Sequence, residues 1–239
     1  IEGLREITHA LRAGFEITHL YYCRDFFSSD LHATFIAEHE DAGKFPVIGM
    51  SPDAFTKASH REGPDGLIAI AVQQGNVLAD LSLSQKPLLL VLEGIEKPGN
   101  LGAILRSSDG AGVDAVILVD CVLDLYNPNA IRSSQGLVFS LPIVSTERDT
   151  LADWLDEKSI ACCATNPDSE KLHWEVNYQQ GIALFMGSES DGLSAYWLEK
   201  ATKQIRIPMD GQADSLNVAA AAAVCLYEAK RQRAQTSGA

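Results

Sequence analysis

Short apolar segments alternate with segments of helical periodicity throughout residues 87–239. The apolar segments have the length of strands and are LLLVLEGI, AVILVD, LPIVS, IACCAT, IALFMG and KQIRIP. The helical segments are LGAILRSSDGAG, a short helix around NPNAIRSSQGL, TERDTLADWLDEK, SAYWLEKA and an alanine-rich helix from about Ser215 to Arg233. Continuous apolar strands separated by helices are typical of a buried parallel sheet. The pattern therefore predicts an α/β fold with helices on both faces of a parallel sheet.

A smaller α/β unit precedes this region. Its predicted elements are a helix in GLREITHALRAG with a strand directly after it, a strand in KFPVIGM, a helix in SPDAFTKAS and a strand in GLIAIAVQ. Ser51 is a candidate cap for the second helix, and Pro52 suits its first turn. The next segment, GNVLADLSLSQKP, lacks clear periodicity. We therefore predict two domains, residues 1–80 and 87–239, joined by a linker at residues 81–86.

The charge of the chain limits the kind of partner it can bind. Its formal net charge is −13, and both halves are acidic. Residues 1–86 hold seven Lys and Arg against twelve Asp and Glu, and residues 87–239 hold twelve against twenty. Nucleic-acid binding is normally driven by clustered Lys and Arg. The charge argues against a protein that coats nucleic acid through bulk electrostatics, so any RNA site must be local.

The sequence shows no pattern typical of membrane or zinc proteins. No apolar run reaches the roughly 18 residues that a membrane-spanning helix needs. The first residues, IEGLREITHALRAG, carry acidic groups and no apolar signal core. The five cysteines have no CxxC or Cys/His spacing. We therefore expect a cytoplasmic protein with no metal and with reduced, largely buried thiols.

Three predicted strands are followed by loops of unusual composition, and ligands of such sheets usually lie beyond the carboxyl ends of the strands. The first loop is in EGIEKPGNLGAILRSS, where Pro98 and Gly99 turn the chain and Asn100 can cap a helix. Arg106 projects from that helix nearly two turns later. Taken alone, the segment is better explained by Asn100 as a helix cap and Arg106 as a surface salt-bridge partner.

The second loop is in LFMGSESDGLS, where Gly187 and Gly192 flank four polar residues. Glycines allow a ligand to approach the backbone closely. The segment is not GxGxxG and lacks the Lys of a P-loop, so phosphate binding is not indicated. By itself it is also consistent with a turn and a helix cap.

The third loop is in IRIPMDGQADSLNVAAAAAV, where Pro208 ends a strand and a polar segment follows. Ser215 and Asn217 lie at the entry to the alanine-rich helix, and both residue types are preferred at helix starts. Small side chains allow this helix to pack closely against a partner.

Together, these three segments resemble the three sequence motifs of the SpoU/TrmH family of SPOUT methyltransferases, in the family's order and at suitable spacing. The connecting segment NPNAIRSSQGLVFSLPIV is also similar, so the resemblance covers residues 88–233. The N-terminal unit is similar to the small ribosomal-protein-like RNA-binding domain of many members. Ser190 stands where the family often has Gly, and Ala219 where Ser is common, which affects only the expected loop geometry.

The resemblance implies a fold, a reaction and an assembly. The implied fold is the parallel sheet with a C-terminal deep trefoil knot, preceded by a small α/β RNA-binding domain. The implied reaction is methylation of a ribose 2′-hydroxyl in RNA by S-adenosyl-L-methionine, which binds in the knotted loops. Ribosomal RNA is favoured over transfer RNA because of the extra N-terminal domain. Two chains are expected to form a homodimer in which each active site is completed across the interface.

The resemblance also implies roles for individual residues. The implied catalytic residues are Asn100, Arg106, Glu189, Ser215 and Asn217. The residues implied to line the cofactor pocket are Met186, Gly187, Ile207, Pro208, Met209 and Leu216. Arginine is normally fully protonated. We therefore expect Arg106 to hold a phosphate that receives or relays the hydroxyl proton, with Glu189 orienting the groups around it.

The sequence leaves alternative functions to be weighed. An RNA- or ribosome-binding protein could keep the fold without methyl transfer, and a transfer RNA 2′-O-methyltransferase would carry the same motifs. A nucleotide-dependent enzyme with a Rossmann-like sheet predicts a Gly-rich first turn, which EGIEKPGN does not supply. A role in resistance to a ribosome-directed antibiotic is compatible with the same sequence.

Overall fold

A computed structural model describes residues 1–236 of the chain. Its helices are α1 (Leu4–Arg12), α2 (Asp30–Ala42), α3 (Pro52–Ala58), α4 (Pro98–Ala111), α5 (Pro128–Ser133), α6 (Arg148–Glu157), α7 (Ala195–Lys200) and α8 (Val218–Thr236). Its strands are β1 (Ile17–Tyr22), β2 (Val47–Gly49), β3 (Leu67–Ala71), β4 (Leu88–Glu93), β5 (Ala115–Val119), β6 (Ile143–Thr146), β7 (Ala161–Thr165), β8 (Ile182–Met186) and β9 (Lys203–Ile205).

The chain divides into two compact units at positions that differ from the predicted linker at residues 81–86. The first unit comprises Ile1–Gln74 and Leu125–Ser140, and the second comprises Gly75–Asp124 and the described chain from Leu141 onward. Residues 75–86 belong to the second unit because they bond to it. The Asn76 Nδ2 donates to the Ile143 carbonyl at 3.1 Å, and the Ser84 N–H donates to Asp114 Oδ1 at 2.7 Å.

The first unit contains a three-stranded sheet in the order β2-β1-β3. Strand β1 runs parallel to β2 and antiparallel to β3. Its apolar core consists of Ile7, Ile17, Leu20, Ile36, Leu67 and Ala69. Helix α2 was not expected from the sequence, because only His32 and Ile36 of its thirteen residues are buried and the apolar pattern is correspondingly weak.

Residues 125–140 join this first unit through aromatic packing. The Phe15 ring meets the Tyr126 ring edge-on with centroids 5.8 Å apart, and it meets the Phe139 ring at 5.0 Å. The short helix α5 lies in this segment. Most of the connecting segment NPNAIRSSQGLVFSLPIV, which lies between β5 and β6 of the second unit, therefore belongs to the first unit.

The second unit contains a six-stranded sheet in the order β6-β5-β4-β8-β7-β9, and all its paired strands are parallel. Every residue of β4, β5 and β8 is buried. Because side chains alternate between the two faces of a strand, complete burial means that both faces of the sheet are covered. The predicted α/β fold with a parallel sheet is confirmed.

Two helices begin at positions other than those expected. Helix α4 begins at Pro98 with Lys97 as its flanking residue, so Asn100 lies inside the first turn and does not cap the helix. Proline suits this first position because it has no backbone N–H to satisfy. Helix α8 begins at Val218, and Asn217 accepts the Ala219 N–H through Oδ1 at 3.0 Å. The expectation that α8 begins near Ser215 was therefore three residues early.

Candidate functional site

The first two motif loops meet because their strands are neighbours. Strands β4 and β8 pair in parallel, with Leu92 opposite Met186. The loop after β4 leads into α4, and the loop after β8 comprises residues 187–193. The carboxyl ends of parallel strands lie at the same edge of a sheet, where α/β proteins usually bind their ligands.

The loop after β8 is a tight turn closed by its own backbone. The Ser188 N–H donates to the Gly192 carbonyl at 3.1 Å, and the Gly192 N–H donates back to the Ser188 carbonyl at 3.2 Å. Gly192 has a φ of +67°, a conformation that glycine adopts at little cost. A Cβ on Gly187 would overlap the Gly192 carbonyl group and the Leu193 nitrogen. Only glycine fits at position 187.

Four polar side chains converge above this turn, and we call Lys97, Asn100, Glu189 and Asn217 the polar cluster. Asn100 Nδ2 donates to Glu189 Oε1, and Lys97 Nζ pairs with Glu189 Oε2. Asn217 Nδ2 lies 3.1 Å from Glu189 Oε1 and 3.3 Å from Asn100 Oδ1. Asn100 of the first motif and Asn217 of the third motif thus contact the Glu189 carboxylate of the second, and Lys97 is the fourth member of the cluster.

Asn217 connects this cluster to the start of helix α8. Its Oδ1 accepts the Ala219 N–H, which satisfies a backbone donor in the first helical turn. Since the oxygen is used in this way, the amide nitrogen faces the Glu189 carboxylate. The helix cap therefore fixes the orientation of the amide that contacts Glu189.

The larger of two cavities at this edge has a volume of about 640 Å³. Five of the six residues expected to line a cofactor pocket line it, and they are Met186, Gly187, Ile207, Met209 and Leu216. Pro208 does not line the cavity, although both of its chain neighbours do. Glu189, Ser215 and Asn217 also lie in the cavity wall. The second and third motifs therefore enclose one space.

The smaller cavity has a volume of about 220 Å³. It is lined by Gly94, Ile95, Glu96, Lys97, Asn100, Ser188, Glu189 and Ser190. Residues 188–190 line both cavities, so the Glu189 carboxylate stands in a wall that they share. A ligand in one cavity and a ligand in the other would meet at this residue.

Arg106 lies apart from the polar cluster of its own chain. It is exposed on α4 and lines neither cavity. Six residues separate it from Asn100, which corresponds to roughly 9 Å along a helix axis. Within residues 1–236, Arg106 forms no hydrogen bond or ion pair. Within a single chain, the structure therefore does not bring Arg106 to the polar cluster, and its expected catalytic role stays a prediction.

Sequence reasoning missed two charged residues of the site. Lys97 belongs to the polar cluster, and the Glu189 carboxylate raises the pKa of its amine by hydrogen bonding and charge attraction. Glu93 is only 6% exposed and accepts two hydrogen bonds from Ser194, one from its N–H and one from its hydroxyl, each at 2.7 Å. Glu93 therefore anchors the residue that follows the tight turn. Its signal in the sequence is a carboxylate that ends an otherwise apolar strand.

The larger cavity also contains a thiol that cannot act as a nucleophile at neutral pH. Cys225 lines the cavity and is buried, and desolvation raises its pKa to about 12. The thiolate is the reactive form of cysteine. Cys23, Cys162 and Cys163 are buried as expected, whereas Cys121 is half-buried.

Metal-ligating groups and membrane-spanning helices were also sought among the described residues. Residues 1–236 contain no group of three or more His, Cys, Asp or Glu side chains placed to hold a metal ion. Among the same residues, no helix has both the length and the apolar character needed to cross a bilayer.

Two family models match the chain. Residues 87–227 match the SpoU rRNA methylase family, and residues 1–69 match the MRM3-like substrate binding domain. The first match spans more than half of the chain and includes all three motifs.

Relatives of this chain include proteins whose names state an activity. The 23S rRNA (guanosine(2553)-2′-O)-methyltransferase RlmP of Bacillus subtilis (strain 168) is 33% identical over 178 residues, which are 74% of this chain and 70% of that protein. The 23S rRNA (uridine(2479)-2′-O)-methyltransferase of Streptomyces viridochromogenes is 32% identical over 193 residues, which are 78% of this chain and 67% of that protein.

Solved structures are similar over almost the whole chain. The crystal structure of an RNA 2′-O ribose methyltransferase has a TM-score of 0.85 and 42% identity, and the match covers 98% of this chain and 88% of that one. The SpoU methyltransferase AviRb from Streptomyces viridochromogenes, in complex with the cofactor AdoMet, has a TM-score of 0.88 and 28% identity, with 98% and 89% covered. The similarity therefore extends across both units.

Proposed function

Since this chain belongs to the SpoU rRNA methylase family, we propose that it transfers a methyl group from S-adenosyl-L-methionine to a ribose 2′-hydroxyl of ribosomal RNA. The observation that carries this proposal is the wall of residues 188–190 shared by the two cavities. A methyl donor in one cavity and a nucleotide in the other would meet at Glu189. The resemblance first seen in the motifs agrees with the family match.

The larger cavity fits S-adenosyl-L-methionine in size and in lining. Its volume of about 640 Å³ lies within the range of small-molecule sites, roughly 300–1,000 Å³. Met186, Ile207, Met209 and Leu216 offer apolar contacts, and Gly187 lines the cavity at the tight turn that its missing side chain permits. We assign Ser215 a contact with the cofactor or substrate, and Pro208 a role in shaping the chain between Ile207 and Met209.

The chain's own residues must align the hydroxyl and remove its proton. The bound cofactor supplies the electrophilic methyl group, and the electron pair of the broken C–S bond stays on sulfur. Glu189 holds the Asn100 and Asn217 amides in fixed orientations, which position the ribose oxygen for in-line attack. The hydroxyl proton passes to a non-bridging oxygen of a phosphate held by Arg106, because a guanidinium cannot serve as the base.

We propose that two chains form a homodimer in which Arg106 of the partner subunit completes each site. The support for this proposal is the isolation of Arg106, which is exposed, lines neither cavity and has no bonding partner within residues 1–236. A two-fold interface brings the same surface of both chains together, so it creates two equivalent composite sites.

Mixing two inactive variants tests the composite site. Arg106→Ala and Glu189→Gln should each abolish most methyl transfer, and Arg106→Ala should keep nearly wild-type affinity for S-adenosyl-L-methionine in calorimetry. After subunit exchange of equal amounts, half of the dimers carry one intact site of two, so activity should return to about a quarter of wild type. If native mass spectrometry detects heterodimers but activity stays absent, Arg106 does not act across the interface.

We infer further that the end of the chain forms a deep trefoil knot. Strand β9 lies at one edge of the sheet, yet the following helix α8 packs on α4, which connects β4 to β5. Residues 206–217 must therefore return across the sheet edge, where several of them line the larger cavity with the loop after β8. An experimental chain trace in which residues 206–217 pass outside the neighbouring loops would contradict the knot.

We assign the first unit to RNA binding and the protein to the cytoplasm. The support for the first assignment is the match of residues 1–69 to a substrate binding domain. The cytoplasmic assignment follows from the proposed reaction, which needs ribosomal RNA and S-adenosyl-L-methionine in the same compartment.

Calorimetry distinguishes the enzyme from an RNA-binding protein that has lost methyl transfer. The purified protein should bind S-adenosyl-L-methionine at one site per chain and should methylate an unmodified 23S ribosomal RNA transcript in preference to unmodified transfer RNA. A folded sample that binds RNA but no cofactor would contradict the enzyme. Faster transfer to transfer RNA would contradict the substrate.

A further inference from the structure

We propose that Lys97 exchanges its contact with Glu189 for an RNA phosphate, and that this phosphate flanks the target ribose in the smaller cavity. The inference rests on the proposed function, since it requires the hydroxyl to be bound at Glu189. A nucleotide within a chain is flanked by two phosphates. Arg106 of the partner subunit would take the phosphate that accepts the proton, and Lys97 would take the other.

The position of Lys97 makes this exchange possible. Its side chain is 70% exposed, although its amine is paired with Glu189. It flanks the first turn of α4 and lines the smaller cavity. A lysine has a flexible four-carbon stem and three donors on its ammonium group. Lys97 can therefore turn from the carboxylate toward an anion in the cavity while its backbone stays in place.

The charge of the smaller cavity shows why a cation is needed there. Its described lining residues include the carboxylates of Glu96 and Glu189, and Lys97 is the cation among them. A phosphodiester that entered without Lys97 would meet two like charges, and the chain as a whole carries a net charge of −13. Like charges at close range disfavour binding. Lys97 supplies the local positive charge that bulk composition does not.

The distance between the reacting oxygen and the phosphate supports the same assignment. Within one nucleotide, the ribose 2′-oxygen is nearest to the 3′ phosphate, which would accept the proton, and the 5′ phosphate lies only slightly farther along the ribose. A hydroxyl held at the polar cluster therefore brings both phosphates near Glu189, and the 5′ phosphate is the one available to Lys97. An exposed ion pair is held weakly because water screens both charges. The contact of Lys97 with Glu189 can be given up when a phosphate arrives.

Salt-dependent RNA binding tests the proposal. The probe is an unmodified 23S ribosomal RNA transcript, and the variants are Lys97→Ala, Lys97→Arg and the matched control Lys158→Ala. Lys158 also forms an exposed ion pair, with Glu157 at 3.4 Å. Lys97→Ala should weaken RNA binding about tenfold and lower the slope of log affinity against log salt by about 0.7–0.9, the value for one lost phosphate contact. Lys97→Arg should keep the wild-type slope.

The outcomes separate the proposal from simpler explanations. If Lys97→Ala lowers kcat while the RNA affinity and the salt slope stay at wild-type values, Lys97 acts only on Glu189 and the proposal is overturned. Equal losses in Lys97→Ala and Lys158→Ala would reveal a general charge effect and overturn it too. Failure of the proposed function is a different result, because the wild-type protein would then transfer no methyl group to the transcript.

Discussion

The two cavities of the site are built in different ways. The larger cavity is enclosed by the loops after β8 and β9, with the backbone at Gly187 and apolar side chains such as Met209 in its wall. The smaller cavity depends on charged and amide side chains, namely Lys97, Asn100 and Glu189. The shape of the larger cavity changes only when the loop backbone changes. Substitution of a single side chain is enough to disrupt the charged cluster of the smaller cavity. Cofactor binding and RNA chemistry should therefore respond to different substitutions.

Gly187→Ala should have the largest effect because it damages both cavities. A Cβ at this position would overlap the Gly192 carbonyl group and the Leu193 nitrogen, which are backbone atoms and cannot rotate away. We expect a loss of about 3 kcal/mol in the free energy of unfolding, which is at the upper end for overpacking. Cofactor binding should be lost with it. Denaturant unfolding and calorimetry measure the two effects.

The matched control for this change is Gly211→Ala. Gly211 lies in the loop after β9, and a Cβ there would have no atom within 4 Å. This variant should keep wild-type stability and cofactor affinity. If Gly187→Ala behaves like Gly211→Ala, the turn is more tolerant than its geometry implies, and the larger cavity does not depend on the backbone.

Glu189→Gln should have the next largest effect, and it should fall on the chemistry. Glutamine has the same size, but one of its two terminal atoms is a donor, which would face donors from Asn100, Asn217 or Lys97. The cluster must then rearrange, and a misplacement of about 1 Å can cost roughly 100-fold in rate. We expect such a fall in kcat with little change in the affinity for S-adenosyl-L-methionine.

Single-turnover methylation with labelled cofactor measures this loss. Glu199→Gln is the control, since Glu199 is exposed on α7 and lines neither cavity. If Glu189→Gln loses cofactor affinity but keeps a normal rate at saturating cofactor, Glu189 serves cofactor binding and not the chemistry. This result would contradict the roles given to the two cavities.

Two substitutions of Asn217 can separate its effect on protein stability from its effect on methyl transfer. Asn217→Ala removes both the cap on Ala219 and the donor to Glu189, so it should cost about 1 kcal/mol of stability together with activity. Asn217→Ser can still cap the helix but offers no amide to Glu189. Serine should restore the melting temperature without restoring the rate. Recovery of both by serine would show that the amide serves only the helix.

Alkylation should have the smallest effect, despite the thiol in the larger cavity. Burial raises the pKa of Cys225 to about 12, so at pH 8 only about one molecule in 10⁴ carries the thiolate. Iodoacetamide at pH 8 should therefore leave the cofactor affinity of the folded protein unchanged. Mass spectrometry of the treated protein identifies any modified cysteine. Rapid modification of Cys225 with loss of cofactor binding would mean that the cavity is open to solvent at its base.

The sequence was sufficient for much of the fold and for the position of the site. Apolar runs predicted the strands of the parallel sheet, and three motifs at strand ends predicted the loops that meet around Glu189. These features are local, or depend on a general rule about where parallel strands end.

The features that the sequence did not predict depend on contacts between distant residues. Lys97 could not be identified from the sequence because its contact is with Glu189, which lies 92 residues away along the chain. Asn100 is of a residue type preferred as a helix cap, but Pro98 also suits the first helical position, and the helix begins there. Arg106 lies outside the polar cluster because a side chain six positions after Asn100 projects from a different face of the helix. Residues 75–86 lack periodicity, so their sequence did not predict that they belong to the second unit.

The most direct measurement is the identity of the methylated nucleoside. Purified protein is incubated with isotope-labelled S-adenosyl-L-methionine and unmodified 23S ribosomal RNA, and the RNA is then digested to nucleosides for mass spectrometry. We expect label in a single 2′-O-methylnucleoside with the wild-type protein and about 100-fold less with Glu189→Gln. Label on a base, or equal label with both proteins, would contradict it.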